Sequence, residues 1–181
     1  VTTWEVRGTT LTSRWTLGPD GDWWQAEYPV KTSAELPLAL EIVKARTYTV
    51  DQAAAGSGPA VVELPLRPFS EVLHAFIGWT DGLMLLFEAP EEIAGLTAVL
   101  ESKYQDLAAQ LAQRGPAILF SPDNLDGQFM SPPLFEEHMK ESYRATADVA
   151  HAHGAKLVVH VGGPVRALLP GLAAAGVDVI E

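Results

Sequence analysis

The chain has 181 residues, 48% of them hydrophobic, with 12 basic against 23 acidic side chains and a formal net charge of −11. This is apolar material for one sizeable core, and an acidic balance with no Lys/Arg cluster excludes a nucleic-acid surface, which needs a basic footprint. The sequence has no cysteine, which excludes disulfides, thiolate metal ligands and a cysteine nucleophile and fits a cytoplasmic protein.

No run of about 18 apolar residues occurs, so no membrane span is expected. The opening stretch "VTTWEVRGTT" lacks the apolar region of a signal peptide and has no initiating Met. The expectation is a chain processed or cut from something longer.

Residues 1–31 read as β-rich. Two runs flank Arg7-Gly8 as a hairpin, "GPDGD" forms a turn, and "WWQAEYPV" supplies a third strand. Trp4, Trp15, Trp23 and Trp24 are expected to pack together there. From Thr32 the pattern changes. "TSAELPLALEIVKARTY" predicts a helix with Thr32 or Ser33 as N-cap and Glu35 in its first turn. "QAAAGSGPA" reads as a loop and "AVVELPL" as a short buried strand. "FSEVLHAFIGWTDGLMLLFE" predicts a helix interrupted near Gly78. Pro90 then opens a long helix that stops at Gly115.

The second half alternates. "PAILFSPDN" is a strand, "SPPLFEEHMKESYRATADVAHAHG" a helix, "AKLVVHVGG" a strand, "PVRALLPGLAAAG" a helix and "VDVIE" a strand. Short connections and strands apolar on both faces imply a parallel sheet covered by helices.

In such folds ligands bind at the carboxyl ends of the strands. That rule singles out Arg67, Asp123, Asn124, His160 and Glu181. His160 has the chemistry of a general acid or base, a metal ligand or a hydrogen-bonding group, against the alternative of a packed histidine. Gly162-Gly163 either lets a ligand approach the backbone or makes a tight turn with Pro164 at a helix start. Asp123 and Asn124 suit proton transfer or substrate orientation, against a Pro-Asp-Asn turn. Arg67 suits a substrate carboxylate, against a surface salt bridge. Asp178 reads as a capping or pairing residue. His151 and His153, two apart on a helix, point in different directions and make a poor metal pair.

The stretches "SPDNLDGQFMSPPLFEEHMKESYRATADVAHAHGAKLVVHVGG" and "LLPGLAAAGVDVIE" resemble the uroporphyrinogen decarboxylase-like superfamily, as do "YPVKTSAEL" and "GWTDGLMLLFEAPEEIAGLTAVL" upstream. That group includes tetrapyrrole decarboxylases of porphyrin biosynthesis and corrinoid-dependent methyltransferases. The resemblance implies a TIM (β/α)8 barrel, which needs about 200 residues or more. The expected fold is therefore a partial barrel of parallel strands with outer helices, preceded by a small β-hairpin region. The chain is expected to be a single-domain internal fragment, with residues 1–31 as a lead-in and 32–181 as the barrel segment. Open sheet edges then predict poor stability or self-association.

The resemblance implies methyl transfer from a corrinoid or related donor, or decarboxylation, at the carboxyl-end mouth of the barrel. His160 and Asp123 would be catalytic. Asn124, Arg67, Gly162 and Glu181 would bind the small-molecule substrate. In the methyltransferase branch the strand resembles His-x-Cys-Gly, whose side chains bind zinc. Here it reads His160-Val161-Gly162-Gly163, so His160 matches and the Cys does not. The alternative is a non-catalytic binding barrel that has lost the zinc site. Implied partners are a corrinoid protein and a second copy in a homodimer, with no nucleic acid and no membrane.

Overall fold

The computed structural model describes residues 1–50 and 60–181, apart from the side chain at position 81. The expected loop "QAAAGSGPA" lies, for residues 52–59, outside the described residues. The chain divides into two compact units, residues 1–47 with 70–100 and residues 48–69 with 101–181.

The first unit opens with an antiparallel sheet in the order β1 (Thr2–Val6), β2 (Thr9–Leu17), β3 (Trp23–Glu27). Val6 faces Thr9, which leaves Arg7 and Gly8 as the turn. Both have positive φ, 50° and 76°, as a hairpin turn matched to strand twist requires. The expected tryptophan cluster is not formed. Trp15, Trp23 and Trp24 are 46, 65 and 58% exposed. A bulge at Arg14/Trp15 and alternation of side chains across a narrow hairpin put them on both faces, and a hairpin has no second layer to cover both.

A short 3₁₀ turn (Ser33–Glu35) leads into α1 (Leu36–Ala45). The Glu35 carboxylate accepts from the Thr32 and Lys31 backbone N–H groups at 2.9 and 2.6 Å, satisfying donors that the helix start leaves orphaned. The helix ends at Arg46, which is extended, rather than running on to Tyr48. α2 (Pro68–Glu71) begins in the second unit and continues in the first as a π-helical segment, Val72–Ile77. Gly78 breaks it at φ 73°, and α3 (Trp79–Glu88) follows. A Cβ at Gly78 would lie 2.5 Å from the Tyr28 ring, so the predicted interruption has both a conformational and a steric cause. α4 (Pro90–Ala112) starts in this unit and ends in the next.

The second unit holds a parallel sheet, β4 (Val61–Glu63), β5 (Ile118–Leu125), β6 (Lys156–Val161) and β7 (Val179–Ile180), in sequential order. All four strands expected of the chain's parallel layer are present, but β4, expected to be buried, is largely exposed, since it lies at the sheet's edge. The helix expected between β5 and β6 is two, α5 (Pro132–His138) and α6 (Lys140–Ala152), because Met139 leaves helical geometry at φ −124°. The helix expected from Pro164 shortens to α7 (Leu169–Ala174), with Pro170 in its first turn.

Alternate residues of the sheet have different fates. Leu119, Ser121, Leu157 and Val159 are fully buried. Their neighbours on the other face are more open, with Val61 61% and Val179 50% exposed. The observed architecture is thus α/β, a four-stranded parallel sheet and a three-stranded antiparallel one, with one face of the parallel sheet only partly covered. A closed barrel is not formed by these residues. No helix among the described residues is long and apolar enough to cross a membrane.

Candidate functional site

At the carboxyl edge of the parallel sheet, β5 and β6 fall out of register. Ser121 pairs with Val159 and Leu125 with Val161, so Pro122, Asp123 and Asn124 bulge opposite the single residue His160. The alternation of the strand continues through the bulge and sends consecutive side chains to opposite faces. Asp123 turns into the protein and is 1% exposed. Asn124, at φ 51°, is exposed at the edge. Asn tolerates this left-handed backbone better than most residues.

Below the edge, Asp123 belongs to a buried polar cluster. Its Oδ1 accepts from the Arg67 backbone N–H at 2.8 Å. Its Oδ2 accepts from Ser121 Oγ at 2.7 Å, Tyr143 OH at 2.5 Å and Arg67 Nε at 3.4 Å. The Arg67 guanidinium, fully buried, donates to Ser142 Oγ, Thr146 Oγ1 and Ser121 Oγ. Its carbon sits 3.6 Å from the centroid of the Tyr143 ring and 5.1 Å from that of Tyr104. Burial pushes the Arg67 pKa down, but Tyr104, Tyr143 and Asp123 outweigh it and hold the guanidinium charged. Burial raises the Tyr104 hydroxyl to about 12 and Tyr143 well above the usual tyrosine value. Arg67 and Asp123 are therefore brought together, and they are spent on each other beneath the surface.

The second group lies at the edge itself. His160 is the next-to-last residue of β6, 40% exposed at its side chain, and its Nδ1 lies 2.7 Å from Glu181 Oε2. Glu181 is fixed through its backbone, its N–H donating to Val159 O and its carbonyl accepting from Val161 N–H, both at 2.9 Å. The Phe120 ring flanks His160, centroids 6.3 Å apart. The Asn124 amide lies directly over Gly162, where any Cβ would overlap it, and the Asp126 carboxylate lies over Gly163 in the same way. The helix start weighed from sequence at Pro164 is not found, since α7 begins at Leu169. The double glycine makes room for two polar side chains from the β5 loop.

The structure thus gathers His160, Glu181, Asn124 and Gly162 at one edge and separates Arg67 and Asp123 from it by burial. Sequence reasoning missed Tyr104, Ser121, Ser142, Tyr143 and Thr146. The available signal was Ser142 and Thr146, four apart on one helical face, beside a tyrosine in α6. The remaining histidines have separate partners. His151 Nε2 lies 2.7 Å from Asp178, and His153 Nδ1 is 3.0 Å from the Val149 carbonyl. His138 stacks on Phe69 at 4.3 Å, and burial lowers its pKa. Asp178, read from sequence as a pairing residue, also accepts from Lys156 Nζ and Leu157 N–H. No group of three or more His, Asp or Glu placed to hold a metal ion occurs among the described residues.

The sequence matches no protein-family model and no curated protein. Among solved structures the chain is similar to a methyltransferase from Methanosarcina mazei, with TM-score 0.62 and 13% identity over 94% of this chain. The chain spans 52% of that protein's length. The likeness is one of fold.

Proposed function

We propose that this chain forms part of a methyl-transfer enzyme of the uroporphyrinogen decarboxylase-like type, reacting at the carboxyl edge of its parallel sheet. The observation that carries the reading is the His160–Glu181 pair on the strand end where the Asn124 amide lies over Gly162, in a fold shared with a methyltransferase. Strand ends are where parallel α/β folds place chemistry. The Asn124 amide offers donors and an acceptor to orient a small-molecule substrate, and His160 offers a nitrogen for proton or hydrogen-bond exchange. A corrinoid presented by a partner protein would supply the methyl group. Arg67 and Asp123 serve this site as positioning residues, since their contacts anchor the residue that precedes Asn124. Decarboxylation of a pyrrole acetate is less well supported, because the arginine expected to meet a substrate carboxylate is sealed in the core.

The test is methyl transfer from methylcobalamin to a thiol, followed by mass spectrometry, for wild type, His160→Ala and Asn124→Ala. The expected loss for His160→Ala is about 100-fold or more, with unchanged circular dichroism. Undiminished transfer by His160→Ala would refute the assignment.

A further inference from the structure

We propose that the sheet-edge site works without a bound metal. The Asn124 amide takes the space that a ligand side chain at position 162 would need, and Glu181 orients His160 so that Nε2 meets the substrate directly. The proposal rests on the reading of this edge as the reacting site and specifies how that site operates.

Three observations support it. First, a zinc site of the kind the resemblance implies needs a thiolate two residues beyond the histidine, and this position is Gly162. The space above Gly162 is filled by the Asn124 amide, a neutral group far weaker than a thiolate as a zinc ligand. The backbone that carries Asn124 is fixed on both sides. Asp123 is locked by Arg67, Ser121 and Tyr143, and the Gly162 N–H donates to the Leu125 carbonyl at 2.9 Å. Second, His160 already uses Nδ1 on Glu181 at 2.7 Å. When Nδ1 carries the proton that pairs with the carboxylate, Nε2 is the acceptor. Third, the described residues assemble no third His, Asp or Glu around this pair. The donors that the described residues bring to this edge fit a hydrogen-bonding pair.

The test measures metal directly. Wild type, His160→Ala, Gly162→Cys and the double variant Asn124→Ala/Gly162→Cys are exchanged into zinc-containing buffer, dialysed and assayed for metal, then titrated with cobalt(II). Wild type is expected to retain substoichiometric zinc, no more than His160→Ala. One equivalent in wild type that is lost in His160→Ala would overturn the proposal. The double variant is expected to show a thiolate–cobalt charge-transfer band that Gly162→Cys alone lacks, because only the double variant opens the ligand space. Equal bands in both would overturn the role given to Asn124. Should Gly162→Cys fail to fold, the double variant and wild type carry the test. Imidazole ¹⁵N shifts are expected to show the Nδ1–H tautomer of His160 in wild type and a mixed population in Glu181→Gln. An Nε2–H tautomer in wild type would overturn the orienting role. Metal content is read independently of turnover. Zinc-dependent transfer by wild type would overturn this inference and leave the functional reading standing. A metal-free protein that transfers no methyl group would overturn the functional reading, and with it this inference.

Discussion

Replacing Asp123 by Asn keeps the shape of the side chain and removes its charge from a site where Asp123 and Arg67 are 1 and 0% exposed. The Arg67 guanidinium would then be buried without its anion. Removing one partner of a buried pair costs about 3–5 kcal/mol, and the hydrogen bonds from Ser121 and Tyr143 lose their charged acceptor. Ser142, Thr146 and the two tyrosine rings still surround the cation, which argues for the lower end, about 3 kcal/mol. Against a typical total of about 5–15 kcal/mol, this is a large fraction. Urea unfolding followed by far-UV circular dichroism is the suitable assay. All five tryptophans lie outside the unit that holds the pair, so their fluorescence follows a different part of the chain. Arg67→Met should cost a similar amount, and the Arg67→Met/Asp123→Asn double variant should recover at least about 1.5 kcal/mol relative to additivity, since neither charge is stranded. An Asp123→Asn protein within about 0.5 kcal/mol of wild type, or a strictly additive double variant, would show that the cluster is not the buried ion pair described here.

Two further predictions follow from single positions. Gly78→Ala should destabilise by about 2–4 kcal/mol, combining an unfavourable left-handed backbone with overlap against the Tyr28 ring; a melting temperature equal to wild type would contradict it. Partial burial pushes the Asp178 pKa up, but hydrogen bonds from Lys156, His151 and the Leu157 N–H outweigh it and hold it at about 2. A depressed carboxylate contributes stability above its unfolded value of 3.8 and loses it as pH falls toward 2. After allowance for solvent screening this is about 1 kcal/mol. The difference between wild type and Asp178→Asn should accordingly shrink as pH is lowered from 5 to 2, and a constant difference across that range would exclude the assigned contacts.

The sequence by itself determined the β-hairpin at Arg7-Gly8, the break at Gly78, the four parallel strands and the position of His160 at a strand end. These depend on local causes: glycine conformational freedom, apolar runs of strand length and the alternation of strand with helix. It also pointed to Asp123 and Arg67, but only as polar residues near strand ends. The tertiary structure decided that these two are buried against each other. Alternation along β5 already places Asp123 on the face of Leu119 and Ser121 and Asn124 on the other, but that this face is sealed, with Arg67 and Tyr143 closing over the carboxylate, depends on packing that no single segment specifies. The same holds for Gly162. Its lack of a side chain is plain in the sequence, but the amide that fills the gap comes from a residue 38 positions earlier, and only the packing of two loops brings them together. The exposed tryptophans show the limit from the other side. Aromatic content favours burial, but a narrow hairpin has two faces, and burying both takes layers that only the assembled fold can supply.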